Sequence, residues 1–211
     1  MVSSQSSESS AIPHESQFAR PSSLTGRILL RGMNIGHARL HRWGLKVAGI
    51  QHRDKVLDVG CGGGKAIARI LAQTRREVAG VDHSPDAVET SRRVNRAAVA
   101  SGRLRVLEGS VDDLPFRDCF FDVVTAFETT YFWPDLQAGL IEIRRVLSPG
   151  GRLVITNEVA DRETIGRWAD RLGMNVPDGD TLIGLAYEAG FLTVDVSAHP
   201  HHRWLRLVAA R

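Results

Sequence analysis

The sequence predicts an α/β fold, in which a mostly parallel sheet of seven short strands is covered by helices on both faces. Short apolar segments, typical of buried strands, alternate with segments of helical periodicity from about residue 55 to the C-terminus. The chain of 211 residues is 43% hydrophobic, enough for the core of one domain. Such sheets bind ligands at the carboxyl ends of their strands, so we expect functional residues in the loops after strands one, two, four and five.

Seven strands and several helices can be placed from these patterns. The predicted strands are Lys55–Val59, Glu77–Val81, Leu104–Glu108, Phe121–Ala126, Arg152–Asn157, Phe191–Val196 and Trp204–Ala209. The predicted helices are Lys65–Gln73, Pro85–Ala100, one carrying Leu136, Leu140, Ile143 and Leu147, and two more before Phe191. Ser84 is the expected N-cap of the second helix, with Pro85 at its first position.

Three parts of the chain differ in composition. Residues 1–16 are rich in serine and nearly free of large apolar groups, so we expect a disordered tail. Residues 17–52 carry apolar side chains at helical spacing and predict one or two N-terminal helices that cover the active site. Residues 53–211 are predicted to form the main domain.

The composition argues against several classes of protein. The net charge of +3 is too small to indicate a nucleic-acid partner by itself. Two cysteines, Cys61 and Cys119, cannot build a disulfide framework, and neither has a Cys or His neighbour at ligand spacing, so no metal site is predicted. The N-terminus lacks a signal-peptide core and no apolar run approaches ~20 residues, so we expect a cytoplasmic protein without a membrane span. The oligomeric state cannot be predicted.

The glycine-rich segment after the first predicted strand is the most informative part of the sequence. Glycines between a strand and a helix let a ligand approach the backbone closely, although a glycine-rich turn without a ligand is also possible. A dinucleotide-binding loop would need glycine where Lys65 stands. A phosphate-binding P-loop would need glycine at Val59 and serine or threonine at Ala66. The segment therefore matches neither phosphate motif.

The same segment, Val56-Leu57-Asp58-Val59-Gly60-Cys61-Gly62-Gly63-Gly64, resembles the nucleotide loop of class I S-adenosylmethionine-dependent methyltransferases at every position. The resemblance implies a Rossmann-like fold with an antiparallel C-terminal strand, and S-adenosyl-L-methionine as cofactor. It implies that Asp58 orders the loop or the methionine amino group, and that the backbone at Gly60, Cys61 and Gly62 follows the methionine and ribose.

An acidic residue after the second strand is the next feature expected of such a site. Asp82 lies 22 residues after Gly60, and its carboxylate can accept hydrogen bonds from both ribose hydroxyls. His83 follows it and is assigned to the same cofactor site. The alternative is that Asp82 only caps the helix beginning after Ser84.

Two further segments resemble the ubiquinone/menaquinone-methyltransferase-like branch. Residues 109–116 are similar to its adenine-pocket segment, which implies that Val111 packs on adenine and that Ser110 or Asp112 meets the ring edge. Ser110 departs from the Asp or Asn that is frequent there. Phe127, at the end of strand four, is also assigned to the cofactor site. Residues 147–151, Leu-Ser-Pro-Gly-Gly, are similar to the turn before the branch's fifth strand.

The acceptor side is expected after strand four, in residues 127–134. The tetrapeptide of DNA amino-methyltransferases, Asn/Asp-Pro-Pro-Tyr/Phe, is absent there, which argues against a nucleic-acid base and favours a small-molecule acceptor. The predicted catalytic residues are Glu128 and His37, and the predicted acceptor-binding residues are Tyr131, Trp133, Glu158 and Asn34. Each also has a structural interpretation: the aromatic residues as core, Glu128 as a cap, Glu158 as a solvated strand end. Residues 199–202, His-Pro-His-His, are expected to form a solvated turn.

The sequence therefore predicts an enzyme that transfers a methyl group from S-adenosylmethionine to nitrogen or oxygen of a small molecule by in-line displacement. Carbon methylation of a quinone or lipid-like acceptor is the alternative within catalysis. A protein that binds S-adenosylmethionine without catalysis is the alternative outside it. An NAD-dependent dehydrogenase is disfavoured by Lys65.

Overall fold

The structure is a computed structural model that describes residues 37–158 and 174–211. The predicted tail over residues 1–16 and the predicted site residue Asn34 lie outside these residues, as does one of the two helices expected after strand five. None of the helices in the described ranges is both long and apolar enough to cross a lipid bilayer.

Seven strands form one sheet in the order β3-β2-β1-β4-β5-β7-β6. The strands are β1 (Val56–Val59), β2 (Val78–Asp82), β3 (Leu104–Glu108), β4 (Phe121–Phe127), β5 (Leu147–Asn157), β6 (Thr193–Ala198) and β7 (Leu205–Ala210). The first five strands pair in parallel, and β7 pairs antiparallel with both β5 and β6. The predicted fold class, including the antiparallel C-terminal strand, is confirmed.

The described helices lie on both faces of this sheet. They are α1 (Ala38–Ala48), α2 (Lys65–Leu71), α3 (Pro85–Val94), α4 (Arg96–Ala100), α5 (Leu136–Val146) and α6 (Gly179–Glu188). Alternation along β1 shows how the two faces are built: Leu57 and Val59 belong to the apolar cluster that includes residues of α5 and α6, whereas Val56 belongs to the cluster that includes residues of α1 and α2.

Two predicted boundaries differ from the structure for identifiable reasons. The helix expected over Pro85–Ala100 is interrupted at Asn95, whose side-chain amide donates to the carbonyl oxygens of Gly64 (2.9 Å) and Ser91 (3.0 Å). This side chain joins the helix to the glycine loop. The fifth strand begins five residues earlier than predicted, because Leu147 already pairs with Phe121 of β4.

The order of the strands places the loops after β1 and β4 next to each other at the carboxyl edge of the sheet. The chain crosses from β3 on one side to β4 on the other, so β1 and β4 flank the point where the strand order reverses. Open α/β sheets form ligand-binding crevices at such points.

Candidate cofactor pocket and acceptor site

The loop after β1 adopts a backbone that favours glycine at three positions. Gly60, Gly62 and Gly64 have φ values of +66°, +50° and +75°. The N–H groups of Gly60 and Cys61 both donate to the carbonyl oxygen of Val81, at 2.8 and 3.0 Å, which fixes the loop against β2. A Cβ atom at Gly60 would lie 2.0 Å from Oγ1 of Thr129, so this position also lacks room for a side chain.

Asp82, the last residue of β2, is nearly buried and holds the glycine loop. Its Oδ2 atom accepts the N–H of Gly62 at 2.8 Å, and its Oδ1 atom accepts the N–H of Ser84 at 3.0 Å. Burial raises the pKa of Asp82, although these two N–H groups and the nearby His83 favour its charged form. Each carboxylate oxygen has a second lone pair, so both can still accept a hydroxyl group. Ser84 caps α3 as predicted, by accepting the N–H of Ala87.

A cavity of about 380 Å³ lies beside these groups, at the carboxyl ends of β1, β2 and β4. This volume falls in the range of small-molecule sites, roughly 300–1,000 Å³. The predicted site residues in its wall are Gly60, Asp82, His83, Ser110, Val111 and Trp133. The wall also includes Thr129, Phe132 and Pro134, which belong to the stretch 127–134 expected on the acceptor side but were not named as site residues. Their position in the sequence could have identified them, since they follow β4 within seven residues of its end.

The outer wall of the cavity is fixed by close packing against α5. The indole N–H of Trp133 donates to Oγ1 of Thr129 at 3.3 Å. A Cβ atom at Gly139, on α5, would lie 2.9 Å from the Trp133 ring and 3.1 Å from Val111. This glycine therefore lets Trp133 and Val111 stand on adjoining sides of the cavity.

Five residues that we assigned to the cofactor lie outside the cavity wall, one of them Gly62, whose N–H is bound by Asp82. Cys61 packs beneath Gly80 in the core, where burial raises the pKa of its thiol. Phe127 is also a core residue, with its ring 5.0 Å from that of His41 on α1. Asp112 is half-buried. Any contact of Cys61 with a cofactor would use its backbone, because its side chain points into the core.

Asp58, the fifth of these residues, is buried in the sheet rather than exposed to the loop. Its Oδ1 atom accepts the hydroxyl of Thr125 at 2.6 Å, which connects β1 to β4. Burial raises the pKa of Asp58 to about 7, against the effect of this hydrogen bond.

Three predicted acceptor-side residues meet beyond the ends of β4 and β5. His37, Glu128 and Glu158 each offer a ligand atom, and these atoms lie within 4.8 Å of one another. We call them the His37–Glu128–Glu158 cluster. Nε2 of His37 is 3.3 Å from Oε2 of Glu158. Glu128 has a φ of +59° and accepts the N–H of Glu158 through Oε1.

Neighbouring side chains hold the two carboxylates in place. Tyr131, which we expected to contact the acceptor, is buried and hydrogen-bonds to Glu128 instead. Trp204 hydrogen-bonds to Glu158. The turn at residues 199–202 is largely exposed, as expected, and the ring of its His202 stacks on Trp204 with centroids 4.1 Å apart.

The charges of the cluster are coupled. Burial raises the pKa of Glu128 to about 8, opposed by the charge of His37. Burial alone would lower the pKa of His37, but the hydrogen bond to Glu158 and the charges of both carboxylates raise it overall. The pKa of Glu158 is lowered, chiefly by its hydrogen bond to His37.

Comparison with known proteins agrees with this geometry. Residues 57–155 match the family model described as a methyltransferase domain. This segment, slightly under half of the chain, is similar to a methyltransferase domain. The match begins at β1 and ends in β5, so it contains the glycine loop, Asp82 and Glu128.

Two relatives and one solved structure illustrate the similarity. An O-methyltransferase of Penicillium expansum is 32% identical over 68% of this chain, and the chain spans 54% of that relative's length. A sterol 24-C-methyltransferase of Aspergillus fumigatus is 33% identical over 62% of this chain, which spans 36% of its length. The fold is similar to that of a Haemonchus contortus phosphoethanolamine N-methyltransferase in complex with S-adenosylhomocysteine, with a TM-score of 0.78, 16% identity, and coverage of 92% of this chain and 59% of that one.

Proposed function

We propose that this protein is an S-adenosylmethionine-dependent methyltransferase that methylates an oxygen or nitrogen atom of a small molecule. The observation that carries the proposal is the cavity beside Gly60 and Asp82, where a bare backbone and a carboxylate adjoin one space. The match of residues 57–155 to a methyltransferase domain supports the reaction class, and the O-methyltransferase relative favours oxygen.

The residues of the cavity fit the cofactor. A Cβ at Gly60 would overlap the side chain of Thr129, so glycine is needed for the Gly60 backbone and Thr129 to line the cavity together. Asp82, with His83 beside it, would accept the ribose hydroxyls through its remaining lone pairs. Val111 and Ser110 would meet the adenine, the first by packing and the second at the ring edge. When bound, S-adenosylmethionine supplies a methyl group already activated on a sulfonium.

The remaining task of the protein is positioning. Thr129, Phe132 and Trp133 would hold an acceptor against the cofactor and exclude water, and such positioning contributes roughly 7–11 kcal/mol to catalysis in favourable cases. Glu128 and His37 would serve the atom that receives the methyl group, with Glu158 as the partner of His37. Residues 127–134 lack the tetrapeptide of DNA amino-methyltransferases, which supports a small-molecule acceptor.

Calorimetry followed by a transfer assay tests this function. We expect the purified protein to bind S-adenosylmethionine and S-adenosylhomocysteine and to leave NAD unbound. A panel of phenols, alcohols, carboxylic acids and amines would then be screened for release of S-adenosylhomocysteine. Failure to bind either sulfur compound would refute the proposal. Binding without turnover on any acceptor would favour a cofactor-binding protein without catalysis.

Methylation of carbon in a quinone or sterol-like acceptor is the second candidate. The sterol 24-C-methyltransferase relative and the aromatic wall formed by Phe132 and Trp133 favour it. Quinones and sterols added to the same panel separate the two candidates, because NMR of the product distinguishes a methyl group on carbon from one on oxygen or nitrogen.

A further inference from the structure

The His37–Glu128–Glu158 cluster combines three side chains that can each bind a metal ion. We propose that this cluster binds one divalent metal ion of the Zn²⁺ or Mn²⁺ type. The three groups come from separate elements: His37 precedes α1, Glu128 follows β4 and Glu158 follows β5. No short sequence motif contains them, and they lie outside the wall of the cofactor cavity.

The donor atoms suit such an ion. An imidazole nitrogen is a preferred ligand of Zn²⁺, and carboxylate oxygens are ligands of both Zn²⁺ and Mn²⁺. Ligands bound at roughly 2.0–2.2 Å from one ion lie about 3–4.4 Å apart. The distance of 3.3 Å between His37 Nε2 and Glu158 Oε2 is in this range, and all three ligand atoms lie within 4.8 Å of one another. Small side-chain rotations would complete the site.

Both carboxylates have partners outside the cluster that would orient them toward an ion. Tyr131 hydrogen-bonds to Glu128, and Trp204 hydrogen-bonds to Glu158. Metal-binding carboxylates are regularly held by such neighbours, whose loss typically lowers metal affinity about 10–100-fold. Tyr131 is 2% exposed and Trp204 8%, so their positions are fixed by the core.

The surroundings of the cluster also suit an ion. Two carboxylates and one imidazole share a half-buried space, where the side chain of His37 is 17% exposed and that of Glu158 is 46% exposed. A divalent ion would displace protons from these groups, as metal ions do when they bind histidine and carboxylate ligands. The competing arrangement is an ion pair in which His37 carries a proton between the carboxylates, and the experiment is chosen to separate the two.

Three protein ligands leave coordination positions open, as in catalytic zinc sites. If the proposed function holds, an acceptor oxygen would occupy one of them, and the ion would lower its pKa and orient it for methylation. This consequence rests on the proposed function. The metal site itself does not, because the ion is tested without S-adenosylmethionine.

The test is a titration of the tag-free, chelator-treated full chain with Zn²⁺ and with Mn²⁺ alone. Calorimetry follows both ions, and electron paramagnetic resonance follows the loss of free Mn²⁺. We expect one ion per chain. Glu128→Gln and Glu158→Gln should each lower the affinity at least about 100-fold, and Tyr131→Phe about tenfold.

Two control variants address other sites on the protein. His199→Ala/His201→Ala removes imidazoles from the turn at residues 199–202, and Glu188→Gln removes an exposed carboxylate at the end of α6. Both should bind the ions as the unaltered chain does. Cooperative thermal unfolding identifies variants that remain folded, and His37→Asn provides a third removal of a ligand if Glu158→Gln does not fold.

Three results would overturn the proposal. They are no saturable binding of either ion, binding lost in the His199→Ala/His201→Ala variant, and binding unchanged by all three cluster substitutions. The first indicates that the cluster is an ion pair held by a proton. Because these titrations contain no cofactor, they leave the proposed methyl transfer to be judged by its own assay.

Discussion

The two ends of the ligand crevice are built by different means. On the cofactor side, the groups after β1 and β2 are mainly backbone: three glycines with positive φ, and N–H groups held by Val81 and Asp82. On the acceptor side, the groups after β4 and β5 are side chains contributed by distant parts of the sequence, such as His37, Glu128 and Glu158.

This difference predicts how each side responds to substitution. A backbone cradle needs a particular run of residues between one strand and one helix, so substitutions there affect folding and binding together. A cluster of side chains on a rigid sheet edge can be altered one group at a time. We therefore expect substitutions on the first side to abolish cofactor binding and substitutions on the second side to leave it intact.

Gly60→Ala is predicted to have the largest effect. Its Cβ would lie 2.0 Å from Thr129 Oγ1, and its φ of +66° is unfavourable for alanine. Affinity for S-adenosylhomocysteine, measured by calorimetry, should fall on the order of 100-fold or more.

Gly102→Ala is the matched control, since Gly102 has a φ of +72° with open space around it. It should show only backbone strain of about 1–2 kcal/mol in unfolding and normal binding. Equal affinity of Gly60→Ala and Gly102→Ala for S-adenosylhomocysteine would contradict the role of the glycine loop in cofactor binding.

Glu128→Gln should reverse this pattern. Turnover on the acceptor identified by the screen should fall about 100-fold, the lower end of what a proton-transferring or orienting group contributes. Affinity for S-adenosylhomocysteine should change less than twofold, because Glu128 lies outside the cofactor cavity wall. Steady-state kinetics and calorimetry on the same preparation measure both, with Glu188→Gln as control. Unaltered turnover would leave Glu128 with a structural role.

The cofactor side could be predicted because its determinants are contiguous. Gly60, Gly62 and Asp82 lie in two short segments, and the structure places the first and last of them in the cavity wall. The mostly parallel sheet and the cap at Ser84 also agree with the sequence pattern. Periodicity and turn chemistry are local properties, so one sequence is enough to show them.

The acceptor side could be predicted only residue by residue. Glu128, His37 and Glu158 were each expected to be functional, but their meeting depends on the register of β4 with β5 and on the start of α1. Tyr131 was assigned to the acceptor and Phe127 to the cofactor site. Aromatic residues near the end of a strand can face either a site or the core, and the sequence does not distinguish the two. Packing against Val176 and His41, far away in sequence, decides for the core.

A substitution at Asp82 tests whether cofactor binding by the glycine loop depends on one charged group. In Asp82→Asn, one carboxylate oxygen becomes an amide that faces the N–H of Gly62 or of Ser84, so one loop hydrogen bond is lost together with the acceptor for a ribose hydroxyl. Hydrogen bonds to charged groups contribute roughly 1.5–3 kcal/mol, so affinity for S-adenosylhomocysteine should fall about 10–100-fold. Ser84→Ala removes only the helix cap and should bind normally. Unchanged affinity in Asp82→Asn would refute the ribose assignment.

Asp58 lies where the two sides meet, and its effect should be seen in stability rather than in binding, as a dependence on pH. Its pKa is about 7 in the folded state, against 3.8 for an unburied aspartate, so between these limits the folded state holds the extra proton. Stability from this group is complete below about pH 4 and is lost as the pH rises to 7, by up to about 1.4 kcal/mol per pH unit. His41 has the opposite sign, because burial lowers its pKa from 6.5 to about 3.

The comparison of variants isolates the Asp58 contribution from that of His41. Asp58→Asn keeps an acceptor for the Thr125 hydroxyl but cannot ionise. The free energy of unfolding of this variant, minus that of the unaltered chain, should therefore rise between pH 4 and 7 and be constant above. Urea denaturation at half-unit pH steps measures it, and His41→Gln should give a difference of opposite slope. If the free energies of unfolding of Asp58→Asn and the unaltered chain changed with pH in parallel, the Asp58 carboxylate would be ionised in the folded state throughout this range. The contact between β1 and β4 would then tolerate a buried charge.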